Sequence, residues 1–67
     1  MKDVYKLLSE YNELNNTTYV AFYDKSDGTV TIKHSKDLKP LCIYISIDEA
    51  IKDIKKAVKG FKLIPKI

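Results

Sequence analysis

The sequence has no arginine and no tryptophan, and only one cysteine, one histidine and two glycines among its 67 residues. Two glycines exclude a glycine-rich phosphate loop. One cysteine and one histidine exclude the usual ligand spacings of zinc sites. We therefore predict no metal site and no cofactor, and we expect no enzymatic activity.

All twelve cationic side chains are lysines, and they give a formal net charge of +3 against nine acidic residues. Arginine is the usual residue for bidentate contacts to phosphates and base edges. Its absence makes the basic charge weak support for sequence-specific recognition of nucleic acid. A compositional bias toward lysine that only solvates the surface explains the same charge.

The chain contains no apolar run near the roughly 20 residues that a membrane-spanning helix requires, and its N-terminus has no signal-peptide pattern. Cys42 has no second cysteine with which to form an internal disulfide, which fits a reducing compartment. We expect a cytoplasmic protein with no membrane partner.

The hydrophobic fraction of 45% and the charged fraction of 31% are typical of a folded domain. Residues 1–67 are enough for a single small domain, and a chain of this size buries a modest core. Association with another protein or with a second copy, as a homodimer, would add buried area.

A strand followed directly by a helix organises the C-terminal half. Leu41 to Ile45 is predicted as a strand, and the helix begins after Ser46, which stands three residues before Glu49 in the spacing of a capping box. Gly60 is placed to end the helix. The apolar stripe of the helix consists of Ile47, Ile51, Ile54, Val58 and Phe61.

The N-terminal half is predicted to contain a helix from Asp3 to about Leu14 and then two strands. The helix carries apolar residues at helical spacing and is expected to cover the core. The strands are Thr17 to Asp24 and Thr29 to His34, joined by the turn K-S-D-G.

The turn allows two registers for this hairpin. A two-residue Asp27-Gly28 turn sets Tyr23 opposite Ile32, whereas a three-residue loop from Ser26 sets Phe22 opposite Ile32. We favour the second register because it collects the aliphatic residues and Phe22 on one face. The other face then carries Tyr19, Ala21, Tyr23, Thr29, Thr31 and Lys33.

The predicted fold class is α+β, with a helix, a three-stranded antiparallel meander and a second helix. Both helices have one apolar stripe and are expected to cover the same sheet face in a two-layer sandwich. The tail from Phe61 to Ile67 either adds a short C-terminal edge strand or packs irregularly, and Pro65 argues against a central strand.

The first candidate site is the uncovered sheet face, which is expected to be rich in tyrosine. Tyrosine suits protein interfaces because its ring buries area while its hydroxyl keeps a hydrogen bond. The same rings stack on unpaired bases in other proteins, and tyrosine is also simply a favourable strand residue. The residues of this face are Tyr19, Tyr23 and Tyr44, with Thr31 and Lys33 beside them.

The second candidate site is a lysine strip on the outer face of the last helix. Lysines in this arrangement bind phosphates through salt-sensitive attraction, or meet an acidic protein surface, or are only solvated. Asp48, Glu49 and Asp53 on the same helix dilute the charge. The strip consists of Lys52, Lys55, Lys56 and Lys59.

A third hypothesis is a small ribonuclease with His34 as general acid or base. The sequence supplies no nucleophile or second acid–base group at a recognisable spacing. A solvent-facing histidine at a strand end is the structural alternative.

From Tyr19 to Val58 the sequence resembles the N-terminal domain of HicB-type antitoxins. The matching segments are Y-V-A-F-Y-D-K-S-D-G-T-V-T-I, K-D-L-K-P-L-C and S-I-D-E-A-I-K-D-I-K-K-A-V. This resemblance implies a non-catalytic protein that caps a small toxin. The order of helices and strands is also similar to double-stranded-RNA-binding domains, which implies binding to RNA through lysines near the start of the last helix.

The leading hypothesis is a non-enzymatic protein-binding module, a small inhibitor or antitoxin-like partner of the kind that phages and mobile elements encode. Its expected surface is the tyrosine-rich face. Nucleic-acid binding through the lysine strip is the alternative, and the ribonuclease comes third.

Overall fold

Two helices and three strands follow one another in the predicted order, in a computed structural model that describes residues 1–60 and 62–65. The three strands form one antiparallel sheet in the order β1-β2-β3. The α+β prediction is confirmed. The elements are α1 (Lys2–Asn15), β1 (Tyr19–Tyr23), β2 (Val30–His34), β3 (Cys42–Tyr44) and α2 (Ile47–Val58).

Helix α2 begins and ends as its sequence predicts. The Ser46 side chain accepts a hydrogen bond of 3.2 Å from the Glu49 backbone N–H, which satisfies one of the orphan donors at the helix start. Gly60 follows the last residues of the helix with a φ of 120°, a conformation that residues with a Cβ rarely adopt. Ala50 and Ala57, which the predicted stripe did not include, are buried together with Ile54, while Phe61 lies outside the described residues.

The register of the β1–β2 hairpin differs from both predicted alternatives. Ala21 lies opposite Ile32, and Tyr23 lies opposite Val30. Beyond them, the Asp24 backbone N–H donates to the Thr29 carbonyl at 3.0 Å. The connecting loop therefore has four residues, 25–28.

Polar side chains at both ends stabilise the four-residue conformation of this loop. The Asp24 carboxylate accepts hydrogen bonds from the Ser26 backbone N–H at 2.9 Å and the Ser26 hydroxyl at 2.6 Å. The Asp27 carboxylate accepts from the Thr29 backbone N–H at 3.0 Å and its hydroxyl at 2.7 Å. Such Asx turns compete with the tighter hairpin turns that we considered.

One residue of register exchanges the two faces of β1 relative to β2. Tyr19 and Ala21 therefore share the helix-covered face with Val30 and Ile32, and both pack against the buried cluster. Both helices contribute to this one core, as expected for a two-layer sandwich. The buried cluster consists of Val4, Leu8, Val30, Ile32, Cys42, Tyr44, Ala50 and Ile54.

The C-terminal tail packs on the covered side of the molecule. The Leu63 backbone N–H donates to the Tyr11 hydroxyl at 3.4 Å, and the Cys42 thiol donates to the Ile64 carbonyl at 3.2 Å. Residues 62–65 form no strand. The rest of the tail in which an edge strand was considered, Phe61, Lys66 and Ile67, lies outside the described residues.

Candidate functional site

The face of the sheet opposite the helices carries a row of side chains that crosses all three strands. Phe22 lies opposite Thr31, and Thr31 lies opposite Ile43. Phe22 is 55% exposed and Ile43 is 37% exposed, and neither belongs to the core or to the residues packed against it. Val20 and Lys33 form the adjacent row. We call these five residues the open sheet face.

One lysine adds a positive charge beside the apolar side chains of the open sheet face. The Lys33 ammonium lies 5.9 Å from the centroid of the Phe22 ring, within the range of cation–π attraction. The same ammonium donates to the Asp37 carbonyl at 2.7 Å, which fixes its position. Lys36 and Lys39 are exposed in the loop that follows β2.

The prediction of an open tyrosine-rich face is wrong for the tyrosines. Tyr44 is 1% exposed and belongs to the core, and Tyr19 is half-buried on the covered face. Tyr23 is 39% exposed, but it lies on the helix side of the sheet, opposite Val30. For Tyr19 and Tyr23 the physical reason is the four-residue loop, which turns the tyrosines of β1 toward the helices. Tyr44 is covered because it lies opposite Val30 on the helix side of the sheet. Thr31 and Lys33 do lie on the open sheet face.

Burial changes the acid–base behaviour of two of these tyrosines. Burial is the main cause that raises the pKa of Tyr44, and the neighbouring Cys42 and Asp53 raise the pKa further. Burial also raises the pKa of Tyr19, with a smaller contribution from Tyr11. Both phenols therefore stay protonated at pH values where a solvated tyrosine ionises.

Asn12 positions the first strand, and sequence analysis did not single it out. Its side-chain N–H donates to the Tyr19 carbonyl at 2.9 Å, and its side-chain oxygen accepts from the Tyr19 backbone N–H at 3.0 Å. The same oxygen accepts from the Thr17 hydroxyl at 2.9 Å. The amide therefore occupies the position of a neighbouring strand residue at the outer edge of β1. An asparagine in a helix gives no sequence signal for this contact.

The chain turns from α1 into β1 next to this contact. Asn16 caps the helix in the left-handed conformation, with φ 53° and ψ 48°, which asparagine tolerates better than most residues. The Thr17 backbone N–H donates to the Asn12 carbonyl at 3.0 Å. The backbone and the side chain of Asn12 thus both fix the connection between α1 and β1.

The four lysines of the predicted strip are all exposed on α2. They are Lys52, Lys55, Lys56 and Lys59. Lys62 is exposed in the segment that follows the helix, whereas Asp53 on the same helix is half-buried. The strip is therefore accessible to solvent, and it lies on a different element from the open sheet face.

His34 lies at the end of β2 in a small polar cluster. Its Nε2 lies 3.3 Å from the Thr18 hydroxyl, and its Nδ1 accepts from the Lys36 backbone N–H at 3.5 Å. The ring also meets the Tyr19 ring edge to face, with centroids 5.5 Å apart. These contacts join β1 to β2, and the ribonuclease hypothesis gains no second acid–base group from the described surroundings.

Cys42 is fully buried in the core, where a thiol acts as a small apolar group with a weak donor. Within residues 1–60 and 62–65, no group of three or more histidine, cysteine, aspartate or glutamate side chains is arranged to hold a metal ion. No helix in the same part of the chain is both long enough and apolar enough to span a bilayer.

Comparisons with protein-family models, with curated proteins and with solved structures gave no significant match. The resemblances to HicB-type antitoxins and to double-stranded-RNA-binding domains therefore stay hypotheses.

Proposed function

We propose that this protein is a non-enzymatic protein-binding module that binds its partner on the open sheet face. The observation that carries the proposal is the exposed row of Phe22, Thr31 and Ile43, which no helix covers among the described residues. Exposed apolar patches with a polar border are typical of interaction sites. This surface replaces the tyrosine-rich face as the expected interface.

The charges around the patch specify the chemistry of the partner. Lys33 lies beside the Phe22 ring, and Lys36 and Lys39 are exposed in the loop that follows β2, where Asp37 is the only acidic residue. A partner with an apolar patch and acidic side chains beside it is complementary to this arrangement. An antitoxin-like role, with a small toxin as the partner, rests on the sequence resemblance alone.

The test uses one substitution in the open sheet face and a matched change elsewhere. The partner is first captured from a lysate of the source cells, identified and purified. Ile43→Glu places a charge in the patch at a partly exposed position and should weaken binding at least about tenfold. Tyr5→Glu changes another exposed residue, on α1, and should bind as the parent does.

Titration calorimetry with the purified partner measures both affinities, and circular dichroism checks that both variants are folded. Equal affinity of the parent and a folded Ile43→Glu variant would contradict the proposal. Loss of binding in both variants would place the interface on α1 or show a general effect of negative charge.

The second candidate function is binding to nucleic acid through the lysine strip. The observation that favours it is the exposure of Lys52, Lys55, Lys56 and Lys59 on one helix. This function predicts affinity for random DNA or RNA that falls steeply as salt is added. Fluorescence anisotropy at two salt concentrations tests it, and an absence of binding at low salt would remove it.

A further inference from the structure

We propose that two copies of this chain pair through the outer edges of their β1 strands and form a continuous six-stranded sheet. The occupant of this edge is a second copy, because the free backbone groups, a groove and a projecting side chain complement one another about a twofold axis. The proposal goes beyond the function proposed above, because it uses the edge of β1, and the two surfaces share Phe22.

Alternation along the ladder identifies which backbone groups of β1 are free. In an antiparallel pair, residues whose backbones bond to the neighbouring strand alternate with residues whose backbones point away from it. The Asp24 N–H bonds to the Thr29 carbonyl just before β2, so the backbones of Phe22 and Val20 bond to β2. The backbone groups of Tyr19, Ala21 and Tyr23 therefore point to the outer edge.

Asn12 already occupies one of these three positions. Its side chain bonds both the N–H and the carbonyl of Tyr19. β1 is an edge strand of the sheet, and no other described element pairs with it there. Ala21 and Tyr23 are thus the two residues of β1 with backbone donors and acceptors available to a further strand.

One antiparallel register uses these two residues and leaves the Asn12 contacts intact. It places a twofold axis at Phe22, so that Ala21 of each copy lies opposite Tyr23 of the other. Each such pair exchanges two hydrogen bonds, which gives four across the interface. The two Phe22 side chains then lie directly opposite each other on the open side of the sheet.

The helix side of the edge is complementary in the same register. A groove of about 300 Å³ lies beside Ala21, between α1 and β1, with Tyr5, Leu8 and Ser9 on its helix side. Tyr23 projects on this side of the sheet and is 39% exposed. Pairing places Tyr23 of each copy opposite Ala21 of the other, at the groove.

The two edges of the sheet differ in their protection against pairing. Natural edge strands are usually short, bulged, or carry lysine or proline, which prevents association. β3 has three residues and follows Pro40, whereas β1 has five residues, Y-V-A-F-Y, with no charge and no proline. Only the β1 edge is open to a partner strand by this criterion.

Sedimentation equilibrium of the full chain, between about 10 µM and about 1 mM, tests the association. The mass should rise from 7.7 kDa toward twice that value. Ala21→Pro removes the outward N–H without removing a bond to β2, a position where proline is tolerated in an edge strand, and should remain monomeric. Leu38→Glu, in the loop after β2 and almost fully exposed, should associate as the parent does.

Disulfide trapping tests the register and does not depend on the proline variant. Phe22→Cys places two thiols opposite each other, at a Cβ separation that a disulfide spans. In Val20→Cys the two thiols lie more than about 12 Å apart along the strands. Mild oxidation at high protein concentration should cross-link the first variant at least about tenfold faster than the second.

Three results would overturn the proposal. The first is a parent that stays at 7.7 kDa throughout the concentration range. The second is a folded Ala21→Pro variant that associates as strongly as the parent. The third is equal cross-linking of Phe22→Cys and Val20→Cys.

Discussion

The two faces of the sheet are both apolar, but only one of them is covered. On the covered face, Val30 and Ile32 are completely buried beneath the helices. On the open sheet face, Phe22 and Ile43 remain substantially exposed. Antiparallel sheets with one solvated face normally alternate apolar and polar residues, and here the alternation is incomplete.

This difference separates the residues that stabilise the fold from those available for binding. The covered face, with α1 and α2, accounts for the buried cluster of the domain. Apolar side chains on the open sheet face contribute less to folding because they stay partly in water. In the proposed function, these side chains contact the partner.

The largest expected effect comes from removing the same side chain on each face. Ile32→Ala leaves a cavity in the buried cluster and should lower the free energy of unfolding by about 2–5 kcal/mol. Ile43→Ala removes a partly exposed side chain and should cost about 1 kcal/mol or less. Urea denaturation of both variants measures the difference.

Equal destabilisation by Ile32→Ala and Ile43→Ala would contradict the distinction between the two faces. A small chain has a limited stability, so Ile32→Val serves as a milder variant if Ile32→Ala does not fold. Its expected cost is about 0.5–1.5 kcal/mol.

Periodicity and capping predicted the elements well, because those signals are local. The helix stripes and the Ser46 cap depend on residues three or four positions apart. The hairpin register depended instead on the competition between a tight turn and the Asx turns of Asp24 and Asp27. The grouping of Val20 and Phe22 with Val30 and Ile32 on one face favoured the wrong register.

The register error also decided the candidate site. It placed Tyr19 and Tyr23 on the uncovered face, although both lie on the helix side. Tyr44 is a separate error, because it lies opposite Val30 in the β2–β3 pairing, which the loop between β1 and β2 does not affect. Lys33 and Thr31 were assigned to the uncovered face correctly, so the positive charge could be predicted while the aromatic centre could not.

A smaller loss of stability is expected when the contact between α1 and β1 is removed. Asn12→Ala removes the two hydrogen bonds to the Tyr19 backbone and should destabilise the fold by about 1–3 kcal/mol. Asn15→Ala is the matched control, since its side chain makes one bond, to the Tyr11 carbonyl in the same helix. Alanine favours the helix there, so that variant should be nearly neutral.

Amide hydrogen exchange adds a local readout to this pair. The Tyr19 N–H, whose acceptor is the Asn12 side chain, should exchange faster in Asn12→Ala than in the parent. Unchanged exchange and stability would show that apolar packing alone holds β1 in place. The hydrogen bonds from Asn12 would then not be needed to position the strand.

The smallest expected effect is a loss of stability at alkaline pH, caused by the burial of Tyr44 on the covered face. The folded-state pKa of Tyr44 is raised above its ordinary value of 10.0, so the unfolded chain releases this proton first as the pH rises. The stabilising contribution is fully present below pH 10 and is lost above it, at up to about 1.4 kcal/mol per pH unit. Tyr19 adds to this loss in the same direction.

Urea denaturation between pH 9 and about pH 11 measures the slope for the parent and two phenylalanine variants. Tyr44→Phe removes the main titrating group of the covered face and should have a shallower slope. Tyr5→Phe changes a side chain that is 52% exposed and should keep the slope of the parent. If Tyr44→Phe kept the full slope, the alkaline sensitivity would come from groups outside the core. The Tyr44 phenol would then be accessible to water, contrary to its burial on the covered face.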